Sequence, residues 1–171
     1  MALIKSIRGF TPKIGNNCYL SETAVIIGDV VIGDNCSIWF NAILRGDVNS
    51  IKIGNDVNIQ DGAVLHTLYQ KSVVNIGNNV TIAHNAVIHG ARLHNNVLIG
   101  IGAIVLDYAD IGENSIIAAG AVVLSNTKVE PGSVYGGNPA RKLKEITQEQ
   151  SEEMITRIAE NYKMYAGWYK S

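Results

Sequence analysis

The chain has 171 residues, of which 47% are hydrophobic and 17% are charged, so it can bury the core of one domain, with or without a short appendage. Its formal net charge of −1 argues against a surface that binds nucleic acid without regard to sequence. The sequence shows neither a secretory signal pattern nor an apolar run of the roughly 20 residues that cross a bilayer. We therefore expect a soluble, cytoplasmic protein with no nucleic-acid or membrane partner.

The first predicted elements form a repeat with a period of six residues. Its branched apolar positions fall in four runs: Ile14, Leu20, Ile26, Ile32, Ile38, Leu44; Ile53, Ile59, Leu65; Ile76, Ile82, Ile88; and Leu93, Ile99, Val105, Ile111, Ile117, Val123, Val129. This period matches neither the 3.6 residues of a helical turn nor simple strand alternation. It is typical of a parallel β-helix, an all-β solenoid in which each hexad makes one short strand and one tight turn. Three hexads then complete a coil, with Gly-Asn pairs in the turns.

These hexads resemble the left-handed β-helix of the hexapeptide-repeat superfamily over residues 11–140. The left hand is implied by the resemblance, because parallel crossovers are normally right-handed. We predict a β-helix domain at residues 1–140, with a short N-terminal strand, and a linker with an α-helix at residues 141–171. Cys18 and Cys36 share one phase of the repeat, so we expect them to stack as core thiols and not as a disulfide framework.

The repeat changes phase after Leu44, between Leu65 and Ile76, and between Ile88 and Leu93. The residues richest in chemistry cluster at these breaks, in the segments LRGDVN, NIQDGAVLHTLYQK and AHNAVIHG. Breaks in a solenoid repeat are often sites of function. The three segments are therefore the predicted functional region.

Three of the four histidines fit a metal site. If residues 67–71 loop out, His66 and His89 each follow equivalent positions one coil apart and stack at about 4.8 Å. His84 falls on another face, so it cannot reach the same ion within one subunit. A catalytic site of three imidazoles and one open position then requires a cyclic homotrimer, with His84 supplied by a neighbour. The alternative is that the histidines are surface residues, which we favour for His94, although it could carry protons.

The last predicted element is an amphipathic helix packed along the side of the solenoid. Thr147 and Gln150 fit a capping box at its start. An apolar stripe follows at spacings of three and four residues: Met154, Ile158, Tyr162, Tyr165 and Tyr169. Aromatic residues on such a stripe usually pack, and a role in a site is the alternative.

The segments LRGD, NIQDGAVLH and AHNAVIHG, in this order on a hexapeptide solenoid, resemble the γ-class carbonic anhydrases. The resemblance implies a metal held by His66, His84 and His89, with two ligands from one subunit and one from the next. It also implies further site residues: Arg45 and Asp47 near the trimer interface, Asn58, Gln60 and Asp61 beside the metal, and a tyrosine of the C-terminal helix. We predict Tyr162 for that tyrosine, and Tyr165 as second choice.

This site predicts reversible hydration of CO2 to bicarbonate. A metal bound by three imidazoles lowers the pKa of its water toward about 7, which makes hydroxide available for attack on CO2. Zn2+ is our first choice, and Fe2+ or Co2+ also suits imidazole ligands. Gln60 can orient the hydroxide, and Asn58 can support Gln60. Arg45 can hold bicarbonate, and Asp47 or Asp61 can fix the Arg45 side chain. The alternative for Arg45 and Asp47 is a structural salt bridge at the interface.

One departure from the family concerns proton transfer. The best-studied kind of γ enzyme carries glutamates for proton transfer, one just after the Arg-x-Asp and others in the loop after the first ligand. Here Val48 follows Asp47, and the loop TLYQKSVVN contains no carboxylate. We therefore expect slow hydration, with His94, Tyr69 or buffer as substitutes for the missing groups.

Other functions share these features. NPARKL resembles a segment of hexapeptide acyltransferases that use acetyl-CoA. An acyl-CoA thioesterase could use the same metal site, and a metal-binding trimeric scaffold would need no activity.

Overall fold

Three flat faces make up a parallel β-helix of about seven coils, as the hexads predicted, and it is left-handed, as the resemblance implied. The structure is a computed structural model that describes residues 1–169. In chain order its strands are β1 Leu3–Lys5, β2 Lys13–Ile14, β3 Tyr19–Leu20, β4 Val25–Ile32, β5 Ser37–Ile38, β6 Ile43–Ile53, β7 Asn58–Ile59, β8 Val64–His66, β9 Val74–Ile76, β10 Thr81–Ile82, β11 Val87–His89, β12 Arg92–Leu93, β13 Leu98–Ile99, β14 Ile104–Val105, β15 Asp110–Ile111, β16 Ile116–Ile117, β17 Val122–Val123, β18 Lys128–Val129, β19 Ser133–Gly136 and β20 Arg141–Glu145.

Each face is a ladder of strands. Face A contains β1, the first part of β4 and β6, and then β8, β11, β14 and β17. Face B contains β2, the second part of β4 and β6, and then β9, β12, β15 and β18. Face C contains β3, β5, β7, β10, β13, β16 and β19, with β20 added antiparallel at its end. Each coil therefore runs from face C to face A and then to face B.

The predicted phase breaks are real insertions and one deletion. Ile26 pairs with Leu44 at the regular spacing, whereas Leu44 pairs with Leu65 and Leu65 pairs with Ile88 at longer spacings. The longest insertion lies in the segment 67–73 between β8 and β9, where residues 67–71 were predicted to loop out. Ile88 then pairs with Val105, one residue short of a regular coil. The three segments of the predicted functional region therefore lie where the number of residues in a coil departs from the regular spacing.

A column of apolar side chains fills the centre of the solenoid. On face A this column consists of fully buried residues: Ile26, Leu44, Leu65, Ile88, Val105 and Val123. Cys36 is buried and Cys18 is partly buried against the same core, and the two do not form a disulfide. This confirms their prediction as core residues. The hydrogen-bonding contact with Cys18, together with burial, raises the pKa of the Cys36 thiol.

Asparagine and glycine both provide left-handed backbone at the turns. Asn35, Asn79 and Asn85 are among the many asparagines with φ near +55°, a region that asparagine tolerates better than most residues. Gly54, two positions before the left-handed Asp56, has another role. A Cβ on Gly54 would lie 2.7 Å from the carbonyl oxygen of Gly77 in the next coil, so only glycine fits there.

The C-terminal segment forms one continuous helix against face C. It comprises α1 Gln148–Gln150, a π-helical turn Ser151–Thr156, and α2 Arg157–Trp168. The predicted capping box between Thr147 and Gln150 is present. The predicted apolar stripe is wrong in its first turn, where Ile155 is buried and Met154 is 38% exposed. The π-helical turn has a wider period, which shifts the buried face by one residue.

The boundary at residue 140 stays a prediction, and residues 170 and 171 of the predicted segment 141–171 lie outside the described residues. Within residues 1–169, no helix is long and apolar enough to span a membrane.

Candidate metal centre

His66 and His89 lie side by side at the corner between faces A and B. They end β8 and β11 and are partners in the parallel register, which confirms the predicted stacking. Nδ1 of His66 lies 3.2 Å from Nε2 of His89, and both side chains are largely shielded from solvent. The structure thus brings two of the three predicted ligands together.

The protonation of this pair favours a cation between the rings. Nε2 of His66 lies 3.2 Å from a carboxylate oxygen of Asp47, and Nδ1 of His89 lies 2.9 Å from one of Asp107. A carboxylate can only accept, so each of these ring nitrogens carries the hydrogen. When both imidazoles are neutral, the facing nitrogens carry no hydrogen, so neither can donate to the other. Two ligands at the usual 2.0–2.1 Å in a tetrahedral zinc site stand about 3.3 Å apart, close to the observed separation.

Asp47 connects His66 to Arg45. Its second carboxylate oxygen accepts a hydrogen bond of 2.6 Å from a guanidinium nitrogen of Arg45. Burial alone would raise the pKa of Asp47, but the hydrogen bonds from Arg45 and His66 lower it. Burial and the nearby Arg45 charge lower the pKa of His66, which favours the neutral imidazole that binds metals.

His89 has a comparable partner that the sequence analysis missed. Asp107, one coil further on, accepts from His89 through one oxygen and from the hydroxyl of Ser72, at 2.5 Å, through the other. Burial would raise the pKa of Asp107, but these hydrogen bonds lower it, so the carboxylate stays ionised at neutral pH. Asp107 lies 18 residues after His89, but the spacing alone does not show that its side chain reaches the ring.

His84 lies on a different corner, as predicted. It occupies the turn between β10 and β11, where faces C and A meet. Its Nδ1 lies 2.9 Å from a carboxylate oxygen of Asp61, and its Nε2 lies 3.2 Å from the hydroxyl oxygen of Tyr162. Residues 1–169 contain no group of three or more His, Cys, Asp or Glu side chains that could hold a metal. One chain therefore offers His66 and His89 at one corner and His84 at the other.

Tyr162 is the helical tyrosine that reaches the candidate site. Its ring packs edge-on against Trp39, with the ring centroids 5.2 Å apart. Burial and the nearby Asp61 carboxylate raise the pKa of the Tyr162 hydroxyl to about 12, so it remains protonated at neutral pH. Tyr165, the second choice, packs on the Tyr162 ring.

Asn58 and Gln60 form a buried polar chain on face C. The amide of Gln60 donates to Asn58 at 3.0 Å, and the amide of Asn58 donates to the Thr81 hydroxyl at 2.7 Å. These bonds fix both amide orientations, so the side-chain oxygen of Gln60 remains available. Gln60 also lies beside His84 at one end of a cavity of about 440 Å³ between face C and the helix. Most of that cavity has apolar walls: Ala83, Leu98, Ile101, Ile116, Ala118, Ala119, Met154 and Ile158.

Arg8 and Tyr69 lie near the corner that carries His66. Arg8, missed by the sequence analysis, donates to the Asp47 carbonyl at 3.2 Å and stacks on the Tyr69 ring at 5.3 Å. His94 lies elsewhere: it follows β12, at the corner of faces B and C, and pairs with Asp110 at 2.8 Å.

The repeat and these faces define the chain as a hexapeptide-repeat protein. The family model for the bacterial transferase hexapeptide (six repeats) matches residues 11–46 and 90–125. A hexapeptide transferase family protein from Anaplasma phagocytophilum has the same fold, with a TM-score of 0.91, 37% identity, and coverage of 98% of each chain.

The curated relatives narrow this class to one family. A carbonic anhydrase of Geobacillus kaustophilus is 40% identical over 169 residues, which cover 99% of this chain and 92% of that protein. γ-Carbonic anhydrase 1, mitochondrial, of Arabidopsis thaliana is 40% identical over 91% of this chain. The chain therefore belongs to the γ-carbonic anhydrase family. It spans 58% of the length of that plant protein.

Proposed function

We propose that the protein catalyses reversible hydration of CO2 to bicarbonate at metal centres shared between the subunits of a homotrimer. The observation that carries this proposal is the pair of facing ring nitrogens of His66 and His89, 3.2 Å apart. Membership of the γ-carbonic anhydrase family supports CO2 and bicarbonate as the substrates.

The trimer follows from the two corners of face A. His84 stands at the edge that face A shares with face C, and His66 and His89 stand at its other edge. If face A points to a threefold axis, the first edge of each subunit meets the second edge of the next. A closed ring of three subunits then makes three identical sites of three imidazoles each.

The three imidazole ligands also determine which metal ions the site can accept. His66, His84 and His89 would hold Zn2+, and Fe2+ or Co2+ accept the same imidazole ligands. When bound, the metal supplies Lewis acidity that makes water a nucleophile at neutral pH.

The other side chains would bind and orient the reactants. Gln60, fixed by Asn58, offers its amide oxygen to a water beside the ligands. Arg45 is held by Asp47 and is 43% exposed, so its remaining N–H groups can bind bicarbonate. The Tyr162 hydroxyl, protonated at neutral pH, acts as a hydrogen-bond donor and not as a proton carrier. Val48 and the loop after His66 provide no carboxylate for proton release, so turnover would depend on buffer.

The test is metal content together with stopped-flow CO2 hydration on anaerobically prepared protein. We expect about one bound metal per subunit, and slow hydration that accelerates as imidazole buffer is added, because imidazole replaces the missing proton carrier. A rate independent of buffer would contradict the inferred lack of a carrier. Metal binding without hydration for Zn2+, Fe2+ and Co2+ would contradict the anhydrase proposal and leave the metal proposal standing.

A second candidate function is thioester hydrolysis, which the apolar cavity favours. Its volume of about 440 Å³ lies in the range of pockets for organic ligands, well beyond the size of CO2. An acyl chain there would place its thioester near Gln60 and His84. Water would add to the carbonyl carbon, the C–S bond would break, and a carboxylic acid and a thiol would leave.

Acyl-CoA esters of increasing chain length separate these candidates, with release of free thiol as the measurement. Hydrolysis that increases from acetyl to medium chains, and that Ala118→Phe abolishes by filling the cavity, would support the thioesterase. Absence of thiol release from every ester would remove it. An acyltransferase would keep its activity after metal removal, and a scaffold would show no activity in either assay.

A further inference from the structure

We propose that Asp107 is a positioning residue of the metal centre, which fixes the ring of His89 so that its Nε2 faces the metal, while Ser72 fixes Asp107. The inference rests on the proposed function, since it assigns a partner to one of the proposed ligands. Asp107 lies outside the three sequence segments that first indicated the site.

In the series of hydrogen bonds from Leu68 through Ser72 and Asp107 to His89, the chemistry of each group determines which atom donates and which accepts. The Ser72 hydroxyl oxygen accepts from the backbone N–H of Leu68 at 3.0 Å, so its hydrogen is free to point to Asp107. Asp107 accepts that hydrogen with one oxygen and the Nδ1–H of His89 with the other. A neutral imidazole with its hydrogen on Nδ1 has its lone pair on Nε2. This is the nitrogen that faces His66.

The same contacts tie the inserted loop to the site. Leu68 and Ser72 belong to the segment that leaves the coil directly after His66. Their hydrogen bonds close this loop onto Asp107, one coil beyond His89. One carboxylate therefore orients His89 and anchors the loop that begins at His66. Outer residues of this kind orient metal-binding histidines and raise their basicity.

The chain supplies a matched control. Asp110 and His94 form another aspartate–histidine pair, at 2.8 Å, on an exposed corner away from His66 and His89. If any loss of an aspartate–histidine contact weakened metal binding through general destabilisation, Asp110→Ala would have the same effect as Asp107→Ala.

The experiment measures Zn2+ affinity by chelator competition and the visible spectrum of the Co2+ form, for full-length wild type and variants. We expect Asp107→Ala to weaken Zn2+ binding by about 10–100-fold and to alter the Co2+ spectrum. Asp107→Asn should restore part of the affinity, because its amide oxygen still accepts from His89. Ser72→Ala should cause a smaller loss, and Asp110→Ala none. Imidazole 15N NMR of the metal-free wild type should show the Nδ1–H form of His89, which Asp107→Ala should lose.

His89→Ala separates this inference from the proposed function. If His89→Ala loses Zn2+ while Asp107→Ala stays within about twofold of wild type, the positioning role is wrong and the metal centre stands. If His89→Ala binds Zn2+ as tightly as wild type, both are wrong. Circular dichroism of the metal-free proteins checks folding. If Asp107→Ala does not fold, the Zn2+ affinities of the single variants Asp107→Asn and Ser72→Ala test the positioning role instead.

Discussion

Replacing His84 by alanine should abolish metal binding while the β-helix and its assembly persist. His84 lies in a turn and is about two-fifths exposed, so its removal leaves no cavity in the core. The proposed site would keep only His66 and His89, which is too few ligands for a site of this class. We expect the affinity for Zn2+ to fall by more than the roughly 100-fold typical of outer residues. Metal analysis after gel filtration measures this loss.

His94→Ala is the control for the loss of a histidine. It removes an exposed imidazole paired with Asp110 and should leave metal content unchanged. Full metal content in His84→Ala would contradict a site that needs a neighbouring subunit. A metal-free protein that is also monomeric would show that His84 holds the assembly as well, which the present account does not expect.

Gly90→Ala should destabilise the protein and weaken its metal site together. Gly90 follows His89 with φ +59°, and its missing Cβ would overlap the side chains of Ser72 and Asp107. The left-handed backbone alone costs a non-glycine residue about 1–2 kcal/mol. Overpacking against Ser72 and Asp107 adds about 1–3 kcal/mol and displaces the carboxylate that holds His89.

Gly132→Ala is the matched control for this prediction. Gly132 has φ +67°, but an added Cβ would meet nothing within 4 Å. It should therefore show only the backbone cost, with metal affinity unchanged. Denaturant unfolding of the metal-free proteins measures the first quantity and Zn2+ competition the second. Equal effects of the two substitutions would contradict the crowded arrangement around Gly90.

The fold was predictable because each hexad carries its own signal. A branched apolar residue, a small residue and a turn repeat often enough that phase alone located the insertion after His66 and the stacking of His66 on His89. The separate corner of His84 followed from the same counting. Solenoid coils stack on their neighbours only, so sequence distance translates directly into position.

The remainder of the site was not predictable because it depends on side-chain direction. Ser72 lies in the inserted loop, outside the repeat, and no motif distinguishes Asp107 from Asp110. Arg8 reaches Asp47 from the N-terminal segment, outside the periodic region. The shift of the helix stripe from Met154 to Ile155 depends on a π-helical turn that the residue spacing does not reveal.

The helix adds a feature that the three-histidine site does not require. It covers face C and closes one side of the cavity beside Gln60 and His84, with Ile158 and Tyr162 in the wall. Tyr162 links this helix directly to a proposed ligand. The choice between CO2 and a thioester therefore depends on this wall as much as on the metal.

Co-expression of His84→Ala with His89→Ala subunits tests the shared site most directly. Each variant alone lacks one ligand in every site. In mixed trimers, a His84→Ala subunit can contribute His66 and His89 while its neighbour contributes His84. Random assembly should restore about one quarter of the interfaces, and bound Zn2+ should recover to about that fraction of wild type. A mixture of His66→Ala with His89→Ala is the control, since both variants damage the same corner and should recover nothing. Recovery of metal only in the first mixture is the predicted result, and no recovery in either would contradict a centre shared between subunits.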